Sequence, residues 1–351
     1  MRIMQYSLHL IDKLVRKLPK WWLNPPVNDD GIPLSSGLYV MTKLRKLTGA
    51  TQLDKMSVKK ARKKINFDLT SVLGKFPVAE SNNIVIDLKG RELNARHYRP
   101  TNSKRSALMV YFHGGGWVTG NLNTHDDVCR LLCEKIGIQI LSVDYRQPPE
   151  YRFPDPLDDA IDSVKWAQRN ASRFGISPSS IAVGGDSAGG NFAAVVAQDT
   201  DLEYPLLGQL LLYPCVDRSV DWPSRTKYTK GLFLSAEESE WFYNHYLGGE
   251  GKELNNPLVA PIKGSVSAST APALVVTAGF DILSDEGSAY AKWLQQNGVT
   301  VRHKYFANLV HAFLNLAAVN EDCYDAALIT AYAFGELLDN NTSTGERYDR
   351  A

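Results

Sequence analysis

The chain has 351 residues, 44% of them hydrophobic, and a formal net charge of +1. That is ample apolar material for a sizeable core, and the charge balance supplies no global field that would draw in nucleic acid. Four cysteines (Cys129, Cys133, Cys215 and Cys323) show no disulfide framework; Cys129 and Cys133, four apart, could share a helix face, but two thiols alone make no metal site, and the usage fits buried thiols in a reducing compartment.

Residues 1–20 read as an amphipathic helix. Met4, Leu8, Ile11, Val15 and Leu18 recur at helical spacing, with Arg2, Lys13, Arg16, Lys17 and Lys20 largely elsewhere. Asp12, Lys13, Arg16 and Lys17 break up any signal-peptide core, and no run approaches the roughly 18 apolar residues of a membrane span. The expectation is a cytoplasmic protein, monomer or homodimer, with nucleic acid excluded as a partner and a membrane disfavoured. Trp21-Trp22 and Pro25-Pro26 close this segment, and a second basic helical stretch is expected at about 36–48.

From about residue 84 the texture changes. Ile84–Leu88 and Leu93–Tyr98 read as two strands joined by a turn at Lys89-Gly90. Strands are then expected at 107–112, 138–143, 180–184, 208–213, 273–278 and 300–306. Helices are expected at about 124–136, 156–173, 188–198, 285–297 and 319–338. Near-continuous apolar strands alternating with helices imply a mostly parallel sheet covered on both faces, an α/β fold. Between Asp217 and Pro272 the alternation stops, and the aromatic insert there (Trp222, Trp241, Phe242, Tyr243, Tyr246) is expected to be helical and outside the sheet.

The run Gly185-Asp186-Ser187-Ala188-Gly189-Gly190 fits G-x-S-x-G, with a short apolar strand before it and an alanine-rich segment after it. Strand, glycine-framed serine and helix form the context of a nucleophile elbow. A serine attacking an ester carbonyl needs a histidine to take its proton and a carboxylate to hold that histidine. Three histidines follow Ser187. His245 lies in the aromatic insert and His303 inside a strand pattern, whereas His311 follows a strand end by way of a loop, Ala307 to Val310. His311 is the expected base. Asp281, after the strand Ala273–Ala278, is the expected acid. Asp217 is its rival, and Asp285 is expected to cap the next helix. The run His113-Gly114-Gly115-Gly116-Trp117 follows another strand, and its glycines let backbone N–H groups approach a developing oxyanion, with Ala188 N–H as a further donor. The spacing of a phosphate-binding loop is missing.

These motifs resemble those of the bacterial hormone-sensitive-lipase-like esterases of the α/β-hydrolase superfamily. Three further stretches do so as well. Asp144–Glu150 resembles D-Y-R-L-A-P-E, with departures at Gln147 and Pro148, and Phe153–Asp159 resembles F-P-A-A-x-x-D. Asp281–Gly287 resembles D-P-L-x-D-E-G, with Ile282 in place of proline, and His311-Ala312-Phe313 differs from H-G-F by one methyl group. The resemblance spans about residues 80–340. It implies an eight-stranded α/β-hydrolase fold with a helical cap, built from an N-terminal segment, residues 1–50, and an insert at about 217–260 in the catalytic domain of 51–351. It implies Ser187 as nucleophile, Asp281 as acid and His311 as base. Gly115, Gly116 and Ala188 would be the oxyanion donors, supported by His113, Gly114 and Asp186. No cofactor and no metal are implied. The expected activity is hydrolysis of small or short-to-medium acyl esters. The alternatives are an amide, carbamate or lactone hydrolase on the same machinery, or a non-catalytic small-molecule binding protein. The N-terminal stripe is expected to pack over the acyl site as part of the cap; the alternative is a membrane surface, which a basic amphipathic helix followed by a Trp pair also suits.

Overall fold

A computed structural model describes residues 2–18, 20–47, 52–199, 201–229, 232–249 and 251–348, without the side chains of residues 2, 3, 20, 21 and 342–348. Met1, and residues 48–50 at the end of the expected second helix and first cap segment, lie outside the described residues, as do the side chains of Arg2, Lys20 and Trp21.

Eight strands form one sheet: β1 (Glu80–Leu88), β2 (Arg91–Arg99), β3 (Leu108–Phe112), β4 (Gln139–Val143), β5 (Ile181–Asp186), β6 (Gln209–Leu212), β7 (Ala273–Phe280) and β8 (Val301–Val310), in the order β1-β2-β4-β3-β5-β6-β7-β8. The β1–β2 and β2–β4 pairs are antiparallel and the remaining pairs parallel. Every residue of β3 to β7 is buried, as expected for central strands with both faces covered. Alternate side chains serve different cores: Val110 and Phe112 pack on one face, Met109 and Tyr111 on the other.

The helices are α1 (Arg2–Val15), α2 (Lys20–Leu23), α3 (Ser36–Leu47), α4 (Val58–Thr70), α5 (Asp126–Leu132), α6 (Asp155–Arg169), α7 (Ala188–Val196), α8 (Pro223–Lys227), α9 (Ala236–Leu247), α10 (Ser284–Gln296) and α11 (Glu321–Tyr348). Residues of α6, α7 and α10 pack on one face of the sheet, and those of α5 and α11 on the other. No helix among the described residues is long and apolar enough to cross a membrane.

Three local features depart from the expectations. Helix α4 was not anticipated, because Lys59, Lys60, Lys63 and Lys64 dilute its apolar stripe and Ala61 is its one fully buried side chain. The segment 307–310 is strand rather than loop: Ala278 pairs with Phe306 but Phe280 with Val310, so two residues of β7 span four of β8. Gly279 accommodates this bulge, since a Cβ there would collide with the Ala307 carbonyl. Asp12, which interrupts the N-terminal pattern in sequence, is buried. It accepts hydrogen bonds from Asn320 Nδ2 (2.7 Å) and from Glu321 N–H (3.1 Å), tying α1 to the start of α11. Burial pushes its carboxyl above the usual range, and the two donors only partly offset that.

Candidate active site

The strand ends assemble the site. Reversal of strand order about β3 places the carboxyl ends of β3, β5, β7 and β8 around one crevice. His113 follows β3, Ser187 follows β5, Asp281 follows β7 and His311 follows β8.

Ser187 has φ 55° and ψ −116°, an uncommon conformation for a residue with a side chain. The turn is tight because β5 runs directly into α7. A Cβ on Gly189 would fall on the Phe112 carbonyl, and one on Gly185 on the Gly189 carbonyl. Ser187 Oγ lies 2.9 Å from His311 Nε2, and His311 Nδ1 lies 2.8 Å from Asp281 Oδ2. All three residues are buried. The other Asp281 oxygen accepts Leu283 N–H at 2.9 Å, which fixes the carboxylate plane.

The rival residues do other work. Asp217 accepts hydrogen bonds from Ser219 in its own loop and lies 3.7 Å from Lys263 Nζ. Asp285 does not cap α10, whose N-cap position is Leu283; its carboxylate takes Ser224 N–H at 2.8 Å, in the first turn of α8. His245 Nδ1 contacts the Trp241 carbonyl at 2.8 Å, and His303 Nε2 contacts Thr277 Oγ1 at 2.8 Å.

Gly115 and Gly116 have φ of 119° and 59°, which glycine adopts without strain. Their N–H groups donate to no acceptor among the described residues. Ala188 N–H, first in α7, likewise precedes the intrahelical hydrogen-bond ladder. Gly114 N–H is used differently: it donates to Asp186 Oδ1 at 2.9 Å, which also accepts Tyr111 O–H at 2.7 Å. Asp186 Oδ2 lies 3.3 Å from His125 Nε2. Burial alone would raise the Asp186 carboxyl. The neighbouring His125 ring, Tyr111 hydroxyl and Gly114 N–H outweigh it and hold the group below its ordinary 3.8.

His113 stacks on Tyr145 with ring centroids 4.4 Å apart, and its Nδ1–H donates to the Gly114 carbonyl at 2.9 Å. Burial and the adjacent His125 push its imidazole down to about 3, so it is neutral. Asp186 and His113 therefore lock both sides of Gly114, and with it the glycine loop. Replacing Asp186 with Asn should cost about 1–3 kcal/mol of stability and lower turnover through a loosened loop. Because the folded carboxyl is depressed, its stabilisation is present above pH 3.8 and lost as pH falls below that value. Denaturant midpoints of wild type and variant at neutral and acid pH check this: the gap should shrink at the acid end.

Two departures from the family pattern acquire a physical reading. Gln147 Nε2 donates to the carbonyls of Thr119 and Gly120, both at 3.1 Å, bracing the far end of the glycine loop. Ala312 sits at φ 59°, ψ 27°, the left-handed region that favours glycine. Ala312→Gly should raise stability by about 1 kcal/mol, read as a shift of the urea midpoint.

Sequence reasoning missed several participants. Cys215 Sγ lies 4.0 Å from Ser187 Oγ, and burial pushes its thiol well up. Behind it, buried Glu286 accepts Val216 N–H at 2.9 Å and Arg225 Nη2–H at 2.5 Å. Glu286 lies within the Asp281–Gly287 stretch, but no spacing in the sequence points from it to Arg225.

A cavity of about 410 Å³ lies over Ser187 and His311. Met4 and Leu8 of α1, Met41 of α3 and Ile65 of α4 line one part of it, and Phe242 and Tyr243 of α9 line another.

The family with the alpha/beta hydrolase fold matches residues 109–315. The carboxylic ester hydrolase LipN of Mycobacterium tuberculosis is 42% identical over 233 residues, covering 64% of this chain and 62% of its own length. The ethyl acetate hydrolase of Pseudomonas putida is 36% identical over 256 residues, covering 71% of this chain and 80% of its own. The solved structure of a Pyrobaculum calidifontis esterase superposes with a TM-score of 0.80 at 33% identity, over 87% of this chain and 99% of that one. By sequence and by fold, the chain belongs to the bacterial hormone-sensitive-lipase-like esterase family of the α/β-hydrolase superfamily.

Proposed function

We propose that this chain is a serine carboxylesterase hydrolysing small or short-to-medium acyl esters through an acyl-enzyme. The observation that carries this is the pair of contacts at 2.9 and 2.8 Å linking Ser187, His311 and Asp281. Ser187 Oγ passes its proton to His311 Nε2 as it attacks the ester carbonyl carbon. The N–H groups of Gly115, Gly116 and Ala188 receive the negative charge on the carbonyl oxygen. Asp281 holds Nδ1–H and stabilises the imidazolium. His311 then returns the proton to the departing alkoxide, which leaves as the alcohol. Water repeats the sequence on the acyl-enzyme and releases the acid and free Ser187. The curated relatives named for ester hydrolysis support this substrate class.

Residues 1–50 and about 217–260 act as the cap in this reading. Support comes from Met4, Leu8 and Met41 on one side of the cavity and Phe242 and Tyr243 on the other. Ile65, Leu69 and Val72 line the same cavity, so we extend the first cap segment to about residue 72. The four buried, unpaired cysteines support a cytoplasmic location. Turnover of p-nitrophenyl esters of increasing acyl length tests the proposal. Activity should peak at short-to-medium chains and exceed that on matching anilides. Absence of ester turnover by pure protein would leave the binding-protein reading, and faster anilide cleavage would favour an amidase.

A further inference from the structure

Helix α1 is apolar on two faces. Val15 is buried, and Met4 and Leu8 line the cavity. On the opposite side Tyr6, Leu10 and Leu14, each four residues apart, are 74%, 54% and 57% exposed. At 3.6 residues per turn Lys13 falls in the same sector. A surface helix ordinarily presents charged and polar side chains there. Helix α3, which packs on α1, and α4, which lines the same cavity, repeat the pattern. Leu47, ending α3, and Phe67, on α4 beyond exposed Lys60 and Lys63, face solvent, while Met41 and Ile65 of the same helices line the cavity.

Charge is also divided along the chain. Residues 1–70 carry 14 Lys and Arg against 5 Asp and Glu, a net +9, and the remainder carries 25 against 33, a net −8. Lys13, Lys17, Lys59, Lys60 and Lys63 make no ion pair among the described residues. The overall charge of +1 hides this asymmetry.

We propose that this face docks the protein peripherally on an anionic lipid bilayer, with the ridge Tyr6-Leu10-Leu14 in the interface and the lysines on lipid headgroups. An apolar ridge flanked by lysines, on a helix too short to span, suits the boundary between headgroups and acyl chains. A second copy fits less well, since two faces of the same strong positive charge would meet across a two-fold axis. Nucleic acid would satisfy the lysines and leave the ridge wet. Of the stripe read from the sequence (Met4, Leu8, Ile11, Val15 and Leu18), Val15 is buried and Met4 and Leu8 line the cavity, whereas Leu18 is exposed; the ridge of Tyr6, Leu10 and Leu14 lies on the opposite face. Docking would place the cavity walls formed by α1, α3 and α4 beside the lipid, where apolar esters partition.

The test is co-sedimentation of the full chain with vesicles of phosphatidylcholine alone, or with one-third phosphatidylglycerol, at low and high salt. Binding should require phosphatidylglycerol and weaken at high salt. The variants Leu10→Ser/Leu14→Ser and Lys13→Glu/Lys17→Glu should each lower partitioning at least about tenfold. Neither pair lines the cavity, so turnover of soluble p-nitrophenyl acetate should be unchanged in both, which also reports an intact fold. Lack of binding to the anionic vesicles overturns the proposal, and so does binding that survives both pairs of substitutions. A solution dimer that Leu10→Ser/Leu14→Ser dissociates would assign the ridge to a second copy instead.

Discussion

Ser187→Ala should lower ester turnover by about 10⁴–10⁶-fold and leave stability nearly unchanged. The loss is large because nothing adjacent can replace the hydroxyl. Cys215 Sγ lies 4.0 Å away, but it is buried, and burial keeps the thiol protonated well above its ordinary range. Stability should hold because alanine inherits the same backbone conformation, φ 55° and ψ −116°, with the same strain. Ser187→Gly provides the contrast: equally inactive, but more stable by about 1–3 kcal/mol as the strain is relieved. The measurements are kcat on p-nitrophenyl acetate, stoichiometric labelling by a fluorophosphonate, and urea midpoints. Labelling of the alanine variant, or activity above a few per cent of wild type, would move the nucleophile elsewhere.

What the sequence made legible was the part fixed by chemistry in chain order. A serine after one strand, an acid after a later one and a histidine after the last must meet if the sheet is parallel, because parallel strands bring all their carboxyl ends to one edge. The central strands β3 to β7 were readable for a related reason: buried strands of a mostly parallel sheet are apolar runs, and Leu108–Phe112 or Ala273–Ala278 leave little else to read. What escaped depended on partners remote in sequence. Asp12 looks like a solvent-facing interruption until Asn320 and Glu321 meet it. Helix α4 hides its narrow buried side among lysines. Gln147 reads as a departure from a motif, yet it braces two loop carbonyls some thirty residues upstream. The extension of β8 through Val310 rests on a bulge that Gly279 alone permits, and a single glycine in a strand does not announce which neighbour it admits. The outer ridge of α1 escaped too: the stripe 4, 8, 11, 15 and 18 was the one read, although residues 6, 10 and 14 recur as regularly. Only the structure shows which of the two stripes is covered.

Asp281→Asn should reduce kcat by about 10⁴-fold with little change in KM. The argument turns on which way the new amide must face. Asp281 Oδ1 accepts Leu283 N–H at 2.9 Å, so the amide oxygen has to keep that position; the reverse orientation would set two donors against each other. The NH₂ group then faces His311 Nδ1, where the carboxylate now sits at 2.8 Å. His311 can accept that hydrogen bond only by moving its own proton to Nε2. In that tautomer Nε2, 2.9 Å from Ser187 Oγ, cannot take the serine proton, and the nucleophile stays inert although every heavy atom is in place. Asp217→Asn and Asp285→Asn act on Ser219 and Ser224, in the loop after β6 and at the start of α8, and should each lower kcat by less than about tenfold. Comparing the three variants on p-nitrophenyl acetate therefore separates a carboxylate that sets a tautomer from two that hold loops. If Asp217→Asn proved the most damaging of the three, the histidine would be oriented from the end of β6 instead of β7, and the assignment of Asp281 would fall.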